Sequence, residues 1–269
     1  MTISLSWRNA LLCLSLVAAA LQLAGCSSTA QDLSGKTAEK LYADAKDNME
    51  SGSYEQAIKE LQRVEGLAAG TLLAQQAQLD LAYAYWKSAE KAQALTTIER
   101  FIKLNPSSSA LDYALYLRGV INFNDNLGLL GNLAGQDISE RDQRASRDAY
   151  QAFKQLVDQF PASKYSADAR LRMDYIVNAL AANEVHVARY YYRRGAYLAA
   201  ANRAQQTITE FQQSPSVEEA LYILVQSYDR MQLIALRDAA DRVLRKNFPE
   251  SRFLGENLAA PTRPWWRIW

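Results

Sequence analysis

Large apolar side chains recur at spacings of three and four over most of residues 37–250, and polar or charged residues fill the positions between them. A period near 3.6 places such apolar residues on one face of an α-helix. No segment of useful length shows the strict apolar–polar alternation that is typical of a half-buried strand. The pattern therefore predicts an all-α protein.

Prolines interrupt the helical pattern at regular positions. Pro106, Pro161, Pro215 and Pro249 each follow a predicted helix by a few residues, and they are separated by 55, 54 and 34 residues. A period of 34 is that of the tetratricopeptide (TPR) repeat, a helical hairpin, and the longer intervals are close to this period plus an insertion of about 20 residues. The spacing predicts a solenoid of about five TPR helical hairpins.

The repeats are predicted to form two halves. Residues 37–164 would hold repeats 1–3 with an insertion at about 124–146, and residues 165–255 would hold repeats 4 and 5. Ser166 to Arg194 contains neither Pro nor Gly, which predicts one long helix at the junction of the halves. The insertion carries a Gly-rich run with four leucines. It is either a binding element or a lid whose leucines fold back on repeat 3.

The first 25 residues predict an export signal. Their apolar stretch of about twelve residues is too short to span a bilayer, which needs about 20. Leu23-Ala24-Gly25-Cys26 then resembles the bacterial lipobox, whose cysteine is lipidated and becomes the first residue of the mature chain. Cys26 is therefore the predicted lipidation site, followed by a flexible tether over residues 26–36. The alternative is an ordinary secretory signal with an incidental cysteine.

Ser27 bears on the location of such a lipoprotein. In the lipoproteins that carry a lipobox, an Asp after the lipidated cysteine is the usual mark of retention in the inner membrane. This chain has Ser27 there. The predicted location is the periplasmic face of the outer membrane of a Gram-negative bacterium, with the chain held by its lipid anchor.

Composition narrows the possible functions. With 30 basic and 29 acidic residues, the chain lacks the positive excess that nucleic acid partners require. Its only cysteines, Cys13 and Cys26, precede residue 30, so the body has no disulfide framework and no cysteine-based zinc site. One histidine, His186, and the absence of P-loop, GxSxG and GxGxxG motifs argue against catalysis. We predict a non-enzymatic protein without a metal or a cofactor, apart from the lipid on Cys26.

A stack of helical hairpins curves, and the first helices of its repeats line a concave groove suited to an extended peptide. Tyrosine and tryptophan are good contact residues because they bury a large area at a small cost in conformational entropy. The candidate groove residues, with Arg100 on a second helix, are Tyr83, Tyr85, Trp86, Arg100, Tyr113, Tyr116 and Arg118. The alternative for each tyrosine is a place in the core between helices.

Three consecutive tyrosines, Tyr190 to Tyr192, stand near the end of the predicted long helix. Successive helical positions are about 100° apart, so these side chains cannot all face one core. At least one of them is predicted to be exposed or to contact a partner. Arg194 and Arg203 lie close by, and arginine is enriched at protein interfaces.

Residues 256–269 form a Trp-rich tail. Trp265, Trp266 and Trp269 lie close to Arg263 and Arg267. So many large apolar rings are rarely left in water. The tail is predicted to cap the last repeat, or to contact a partner or the membrane interface, where tryptophan is enriched.

Four stretches have polar and aromatic identities that a generic TPR protein would not share. They are Gln78–Lys87, Arg100–Pro106, Asp112–Gly119 and the Tyr190–Arg203 segment. Together with the lipobox they resemble the BamD (ComL) family of outer-membrane β-barrel assembly lipoproteins. The resemblance runs from the lipobox to about Phe253 and leaves out the tail.

The resemblance implies a non-enzymatic subunit of the machinery that folds and inserts β-barrel proteins into the outer membrane. It implies that the N-terminal repeats, on the side of Arg100, recognise segments of unfolded outer-membrane proteins. It also implies that the C-terminal repeats dock on the periplasmic domain of the barrel-forming subunit, and that other assembly lipoproteins are partners. The implied docking residues are Tyr190, Tyr191, Arg194, Asn202 and Arg203. The alternative is a TPR pilotin-type lipoprotein that serves secretin or pilus assembly.

Overall fold

The computed structural model describes residues 35–123 and 143–254. The predictions on the signal peptide, on Cys26, on nearly all of the tether, on most of the insertion and on the Trp-rich tail therefore lie outside the described residues. Within them the chain forms ten α-helices and no strand, which confirms the predicted all-α class. The helices are α1 (Ala38–Glu50), α2 (Tyr54–Leu67), α3 (Leu72–Lys87), α4 (Lys91–Leu104), α5 (Leu111–Asn122), α6 (Gln143–Gln159), α7 (Ser166–Arg193), α8 (Tyr197–Glu210), α9 (Ser216–Arg230) and α10 (Ile234–Asn247).

The helices pair in chain order as five hairpins, from α1–α2 to α9–α10, and each hairpin packs on the next one. Small side chains stand where paired helices cross, and the second hairpin shows this. There Ala82 of α3 and Ala94 of α4 are both fully buried. The third hairpin uses Gly119 of α5, where an added Cβ would lie 2.4 Å from the buried ring of Phe153 on α6. The predicted solenoid of five TPR-like hairpins is confirmed.

Four hairpin turns share one backbone conformation. Each has a residue with positive φ, namely Gly52 (80°), Ala89 (66°), Gly195 (78°) and Gln232 (58°). The next residue then donates its N–H to the carbonyl five positions back, which closes the helix end. Glycine adopts this left-handed conformation without a Cβ penalty, whereas alanine and glutamine do not.

Helix α7 joins the two halves. It runs without a break over 28 residues, which confirms the long helix predicted from Ser166. Its first part packs in the core of the third hairpin through Ile176, and its second part packs in the core of the fourth hairpin through Val185. In the described ranges, no helix is both long enough and apolar enough to cross a bilayer.

Candidate functional site

The first helices of repeats 1–3 meet around Asp80 on α3. The Tyr42 hydroxyl of α1 donates a hydrogen bond of 2.6 Å to Asp80 Oδ2. Lys46 Nζ lies 3.6 Å from the same oxygen. None of these three residues was predicted as a site residue, because a helix-surface carboxylate with nearby Lys looks like an ordinary solvated pair in the sequence.

Two clefts adjoin at this point and share Asp80 and Tyr113; we call them together the inner groove. The smaller cleft, of about 340 Å³, is lined by Lys46, Met49, Glu50, Asp80, Tyr83 and Tyr113. The larger cleft, of about 620 Å³, is lined by Leu72, Gln75, Gln76, Leu79, Asp80, Phe101, Ser108, Ser109, Ala110, Asp112, Tyr113, Lys164 and Tyr165. The inner groove therefore combines tyrosine rings, carboxylates, amides and lysines.

Stacked tyrosines form one wall of the inner groove. The Tyr113 ring lies 5.5 Å from that of Tyr165, which stacks on Tyr116 at 4.8 Å. Ser163 Oγ donates to Asp112 Oδ2 at 2.7 Å and holds the loop that carries Tyr165 against α5. Burial raises the pKa of the Tyr113 hydroxyl, and the negative charge of Asp80 adds to this effect. The hydroxyl therefore stays protonated and can donate a hydrogen bond.

Arg100 and Tyr85 lie in a different place, between α2, α3 and α4, which we call the edge cleft. Arg100 NH2 lies 2.9 Å from Glu65 Oε1, and this oxygen also accepts a hydrogen bond of 2.7 Å from Gln78. The edge cleft, of about 500 Å³, is lined by Gln62, Glu65, Leu81, Tyr85, Ala92, Gln93, Thr96, Thr97 and Arg100. The sequence did not indicate Glu65 as the partner of Arg100.

The other predicted groove residues make contacts between side chains of the fold. Trp86 packs edge-on against Tyr83 at 5.7 Å. The Tyr116 hydroxyl donates to Asp168 Oδ2 at 2.8 Å, and Arg118 donates to Gln155 at 2.7 Å. The seven predicted residues are thus divided among the inner groove, the edge cleft and side-chain contacts within the fold, rather than gathered in one site.

In the C-terminal half, the tyrosine run behaves as predicted. Tyr190 is 51% exposed, whereas Tyr192 is 6% exposed and belongs to the core of repeats 4 and 5. The Arg194 guanidinium lies over the Tyr190 ring, 5.4 Å from its centroid. Asn202 is exposed on α8. Tyr190, Arg194 and Asn202 are therefore accessible on the surface of repeat 4.

Arg203 is engaged within the fold. Its NH1 donates a hydrogen bond of 3.0 Å to Glu184 Oε2 on α7. The Glu184 side chain is only 3% exposed, and that of Arg203 is 42% exposed. Glu184 could not be identified from the sequence, because it stands in a long helix among other charged and apolar residues.

All of the described residues fall within the match to a known family. A family model, YfiO, described as an outer membrane lipoprotein, matches residues 34–254. A curated relative, the outer membrane protein assembly factor BamD of Neisseria meningitidis serogroup B, is 49% identical to this chain over 231 residues. The match covers 86% of this chain and 86% of the relative.

More distant relatives carry the same name. The BamD of Haemophilus influenzae is 32% identical over 234 residues, which cover 87% of this chain and 89% of the relative. The BamD of Vibrio cholerae is 33% identical over 220 residues, which cover 82% of this chain and 90% of the relative. The resemblance seen in the sequence motifs is confirmed, and the chain belongs to the BamD (YfiO) family of outer membrane lipoproteins.

Proposed function

We propose that this chain is a non-enzymatic assembly factor for outer-membrane β-barrel proteins, and that its inner groove binds extended segments of their unfolded chains. The observation that carries the proposal is the pair of adjoining clefts on the first helices of repeats 1–3, built around Asp80 and Tyr113. The relatives named as outer membrane protein assembly factors support the same function.

The chemistry of the inner groove suits an extended peptide. Tyrosine rings offer flat apolar surface to side chains, and the Asp80 and Asp112 carboxylates and the amides of Gln75 and Gln76 offer partners to peptide N–H and C=O groups. An unfolded barrel strand presents both kinds of group along its length, with side chains alternating in direction. Binding and release of such a segment requires no chemical step.

Filling the groove tests this proposal. Gln76 is exposed at the larger cleft, so Gln76→Trp places a bulky ring in the groove without touching the core. The matched control is Gln93→Trp, which does the same to the edge cleft. The full-length lipoprotein in mild detergent is titrated into a fluorescent peptide that copies the last strand of an outer-membrane barrel protein, and anisotropy is measured.

We expect Gln76→Trp to weaken peptide binding about tenfold, equivalent to about 1.4 kcal/mol, and Gln93→Trp to leave it unchanged. The opposite result would move the binding site to the edge cleft. Equal affinity for a scrambled peptide of the same composition would count against recognition of barrel strands.

We also propose that the exposed surface of repeat 4 docks on the periplasmic domain of the barrel-forming subunit, in company with other assembly lipoproteins. Tyr190, Arg194 and Asn202 support this because all three are accessible on repeat 4, and the Tyr190 ring contacts both Arg194 and Tyr191. Tyr190→Ala combined with Asn202→Ala should reduce co-purification of that subunit. Tyr175→Ala, which removes an exposed tyrosine elsewhere on α7, serves as the control. Unchanged co-purification would overturn this surface.

Anchoring by a lipid on Cys26 at the periplasmic face of the outer membrane completes the proposed function. Cys26→Ser should abolish incorporation of radiolabelled palmitate and release the protein from the outer-membrane fraction. The pilotin alternative gains no support from the relatives. Depletion of the protein would separate the two functions, because an assembly factor affects many barrel proteins, whereas a pilotin affects pili or secretion alone.

A further inference from the structure

A third cleft lies at the junction of the halves, between α6, α7 and the end of α8; we call it the junction cleft. It has a volume of about 600 Å³ and is lined by Tyr150, Met173, Asp174, Val177, Asn178, Thr209, Glu210, Phe211, Gln212 and Gln213. Its apolar side chains belong to the core of repeat 3 or pack against it. The junction cleft therefore offers an apolar surface that continues the core.

The charged side chains that line the junction cleft are all negative. Asp174 and Glu210 are its only charged lining residues, and both are exposed. Among the described residues, neither carboxylate forms an ion pair, and Glu210 accepts one hydrogen bond from Gln206. The cleft thus suits a ligand that combines aromatic side chains with positive charge.

The chain itself carries such a ligand. Residues 255–269 hold three tryptophans and two arginines, with a single carboxylate, Glu256. This segment begins directly after the part of the chain that the family model matches. We call residues 255–269 the tail segment.

The last described residues pack in a cluster that includes a residue of α8, the helix whose end forms one wall of the junction cleft. Phe253 stacks on Tyr222 at 4.9 Å, and Leu254 packs in the same apolar cluster as Ile208 of α8. The residues that follow Ile208, from Thr209 to Gln213, form one wall of the cleft. Fifteen further residues reach at most about 50 Å in extended form. This is more than twice the length of α8, whose 14 residues span about 21 Å.

We propose that the tail segment docks in the junction cleft of its own chain, with Trp265, Trp266 and Trp269 on the apolar side chains and with Arg263 and Arg267 beside Asp174 and Glu210. Burying the rings removes apolar surface from water. Because the cleft is lined by residues of repeats 3 and 4, the docked tail segment ties the two halves of the solenoid together.

A fluorophore that tryptophan quenches on contact tests the proposal. Asn178→Cys places a thiol at the mouth of the cleft, in a described body that contains no other cysteine. The full-length lipoprotein in detergent is labelled there with bimane, and the unsubstituted chain gives the background. The control label is at Glu55→Cys on α2, which is exposed and outside the cleft.

We expect bimane at residue 178 to be quenched, and the emission to recover when Trp265, Trp266 and Trp269 are all replaced by Phe. Asp174→Lys with Glu210→Lys should restore most of the emission as well, whereas Glu55→Lys with Glu99→Lys should not. The label at residue 55 should give the same emission with and without the three tryptophans.

Three outcomes would overturn the proposal. Emission at residue 178 that does not depend on the tryptophans places the tail segment elsewhere. Quenching that grows with protein concentration assigns the cleft to the tail segment of a second copy. Quenching that is lost when phosphatidylethanolamine–phosphatidylglycerol vesicles are added, together with a blue shift of tryptophan emission, assigns the tail segment to the membrane surface.

Discussion

Each half of the solenoid has an arginine that the sequence indicated as a recognition residue, and in each half that arginine pairs with a glutamate of a neighbouring helix. In the N-terminal half, Arg100 and Glu65 are 47% and 22% exposed, and the pair lies at the rim of the edge cleft. In the C-terminal half, Arg203 is 42% exposed, but Glu184 is only 3% exposed. The two pairs have the same chemistry and different surroundings.

The difference shows that the burial of the glutamate determines how much such an arginine contributes to stability. A carboxylate at the surface is solvated with or without its partner, so its ion pair contributes little to stability. A carboxylate inside the protein has lost its water and depends on the partner that compensates its charge. Arg203 therefore stabilises the α7–α8 hairpin through its contact with Glu184, whereas the Arg100–Glu65 pair contributes little to the stability of the fold.

Removing the two arginines separates these roles and has the largest expected effect. Arg203→Met leaves Glu184 buried without a counter-charge, and we expect the free energy of unfolding to fall by about 3 kcal/mol. Arg100→Met should lower it by less than about 1 kcal/mol. The measurement is urea unfolding followed by circular dichroism, with the slope of the transition compared as well as its midpoint.

A double substitution sharpens the same comparison. Glu184→Leu combined with Arg203→Met removes both charges, and the double variant should regain most of the stability that Arg203→Met alone loses. A double variant as unstable as the single one would show that Arg203 acts through packing of its side chain rather than through Glu184. For the same reason, Arg203→Glu is an unsuitable probe of partner binding, since it would place two carboxylates together in the fold.

Two helical glycines provide a second comparison, and their replacement has the next largest expected effect on stability. Gly119 faces the Phe153 ring, and an added Cβ would lie 2.4 Å from it, whereas Gly66 on α2 has no atom within 4 Å of that position. Gly119→Ala should destabilise the fold by about 2 kcal/mol because the buried ring has no room to move. Gly66→Ala should be neutral or stabilise it by up to about 1 kcal/mol.

Both glycine variants are compared by thermal unfolding. Phe153→Leu replaces the ring with a smaller side chain. It should destabilise the Gly119→Ala variant less than it destabilises the wild-type chain. Additive losses would contradict a clash between the two positions.

The hairpin turns extend the comparison to backbone strain. Repeats 1 and 4 have glycine at the left-handed position, whereas repeats 2 and 5 have Ala89 and Gln232. Ala89→Gly and Gln232→Gly should each raise the free energy of unfolding by up to about 1 kcal/mol, since they remove the Cβ penalty. Gly52→Ala and Gly195→Ala should each lower it by a similar amount. A loss of stability in Ala89→Gly would show that chain entropy outweighs strain at this turn.

The repeat architecture was readable from the sequence because it depends on local periodicity. Apolar residues at helical spacing and the spaced prolines predicted all-α structure and five hairpins, and the absence of Pro and Gly after Ser166 predicted α7. These signals act over a few residues or recur at a fixed period. They do not depend on which side chains meet across the fold.

The candidate site was only partly predictable, because it depends on contacts between helices far apart in the chain. Tyr83 and Tyr113 were correctly placed on first helices, and both line the inner groove. Asp80 looked like a solvated carboxylate, and its hydrogen bond from Tyr42 spans 38 residues. Glu184 gave no signal, because its burial follows from the way α8 packs on α7. The identity of a residue does not reveal its burial when the packing of the neighbouring repeat decides it.

A contact between the halves gives the smallest expected effect. Partial burial opposes ionisation of Asp168 on α7, but hydrogen bonds from Arg172 (2.6 Å) and from Tyr116 of α5 (2.8 Å) outweigh it and lower the pKa of Asp168. The pKa of Asp168 is lower in the folded state than in the unfolded state. The stability that its ionised carboxylate contributes is therefore present above the unfolded pKa of about 3.9, and it is lost as the pH falls through the folded pKa. The Asp168 side chain is 46% exposed, so this contribution stays below about 1 kcal/mol.

Between about pH 5 and pH 3, the Asp168→Asn variant should therefore lose less stability than the wild type does. Tyr116→Phe removes one of the two donors and should reduce this loss by a smaller amount. Urea midpoints measured across this range test both variants. If the wild type and Asp168→Asn lose stability in parallel, Asp168 gains nothing from its charge in the fold. Asp168 would then act at this contact as a neutral acceptor for the Tyr116 hydroxyl would, and its ionisation would add nothing to the stability of the junction.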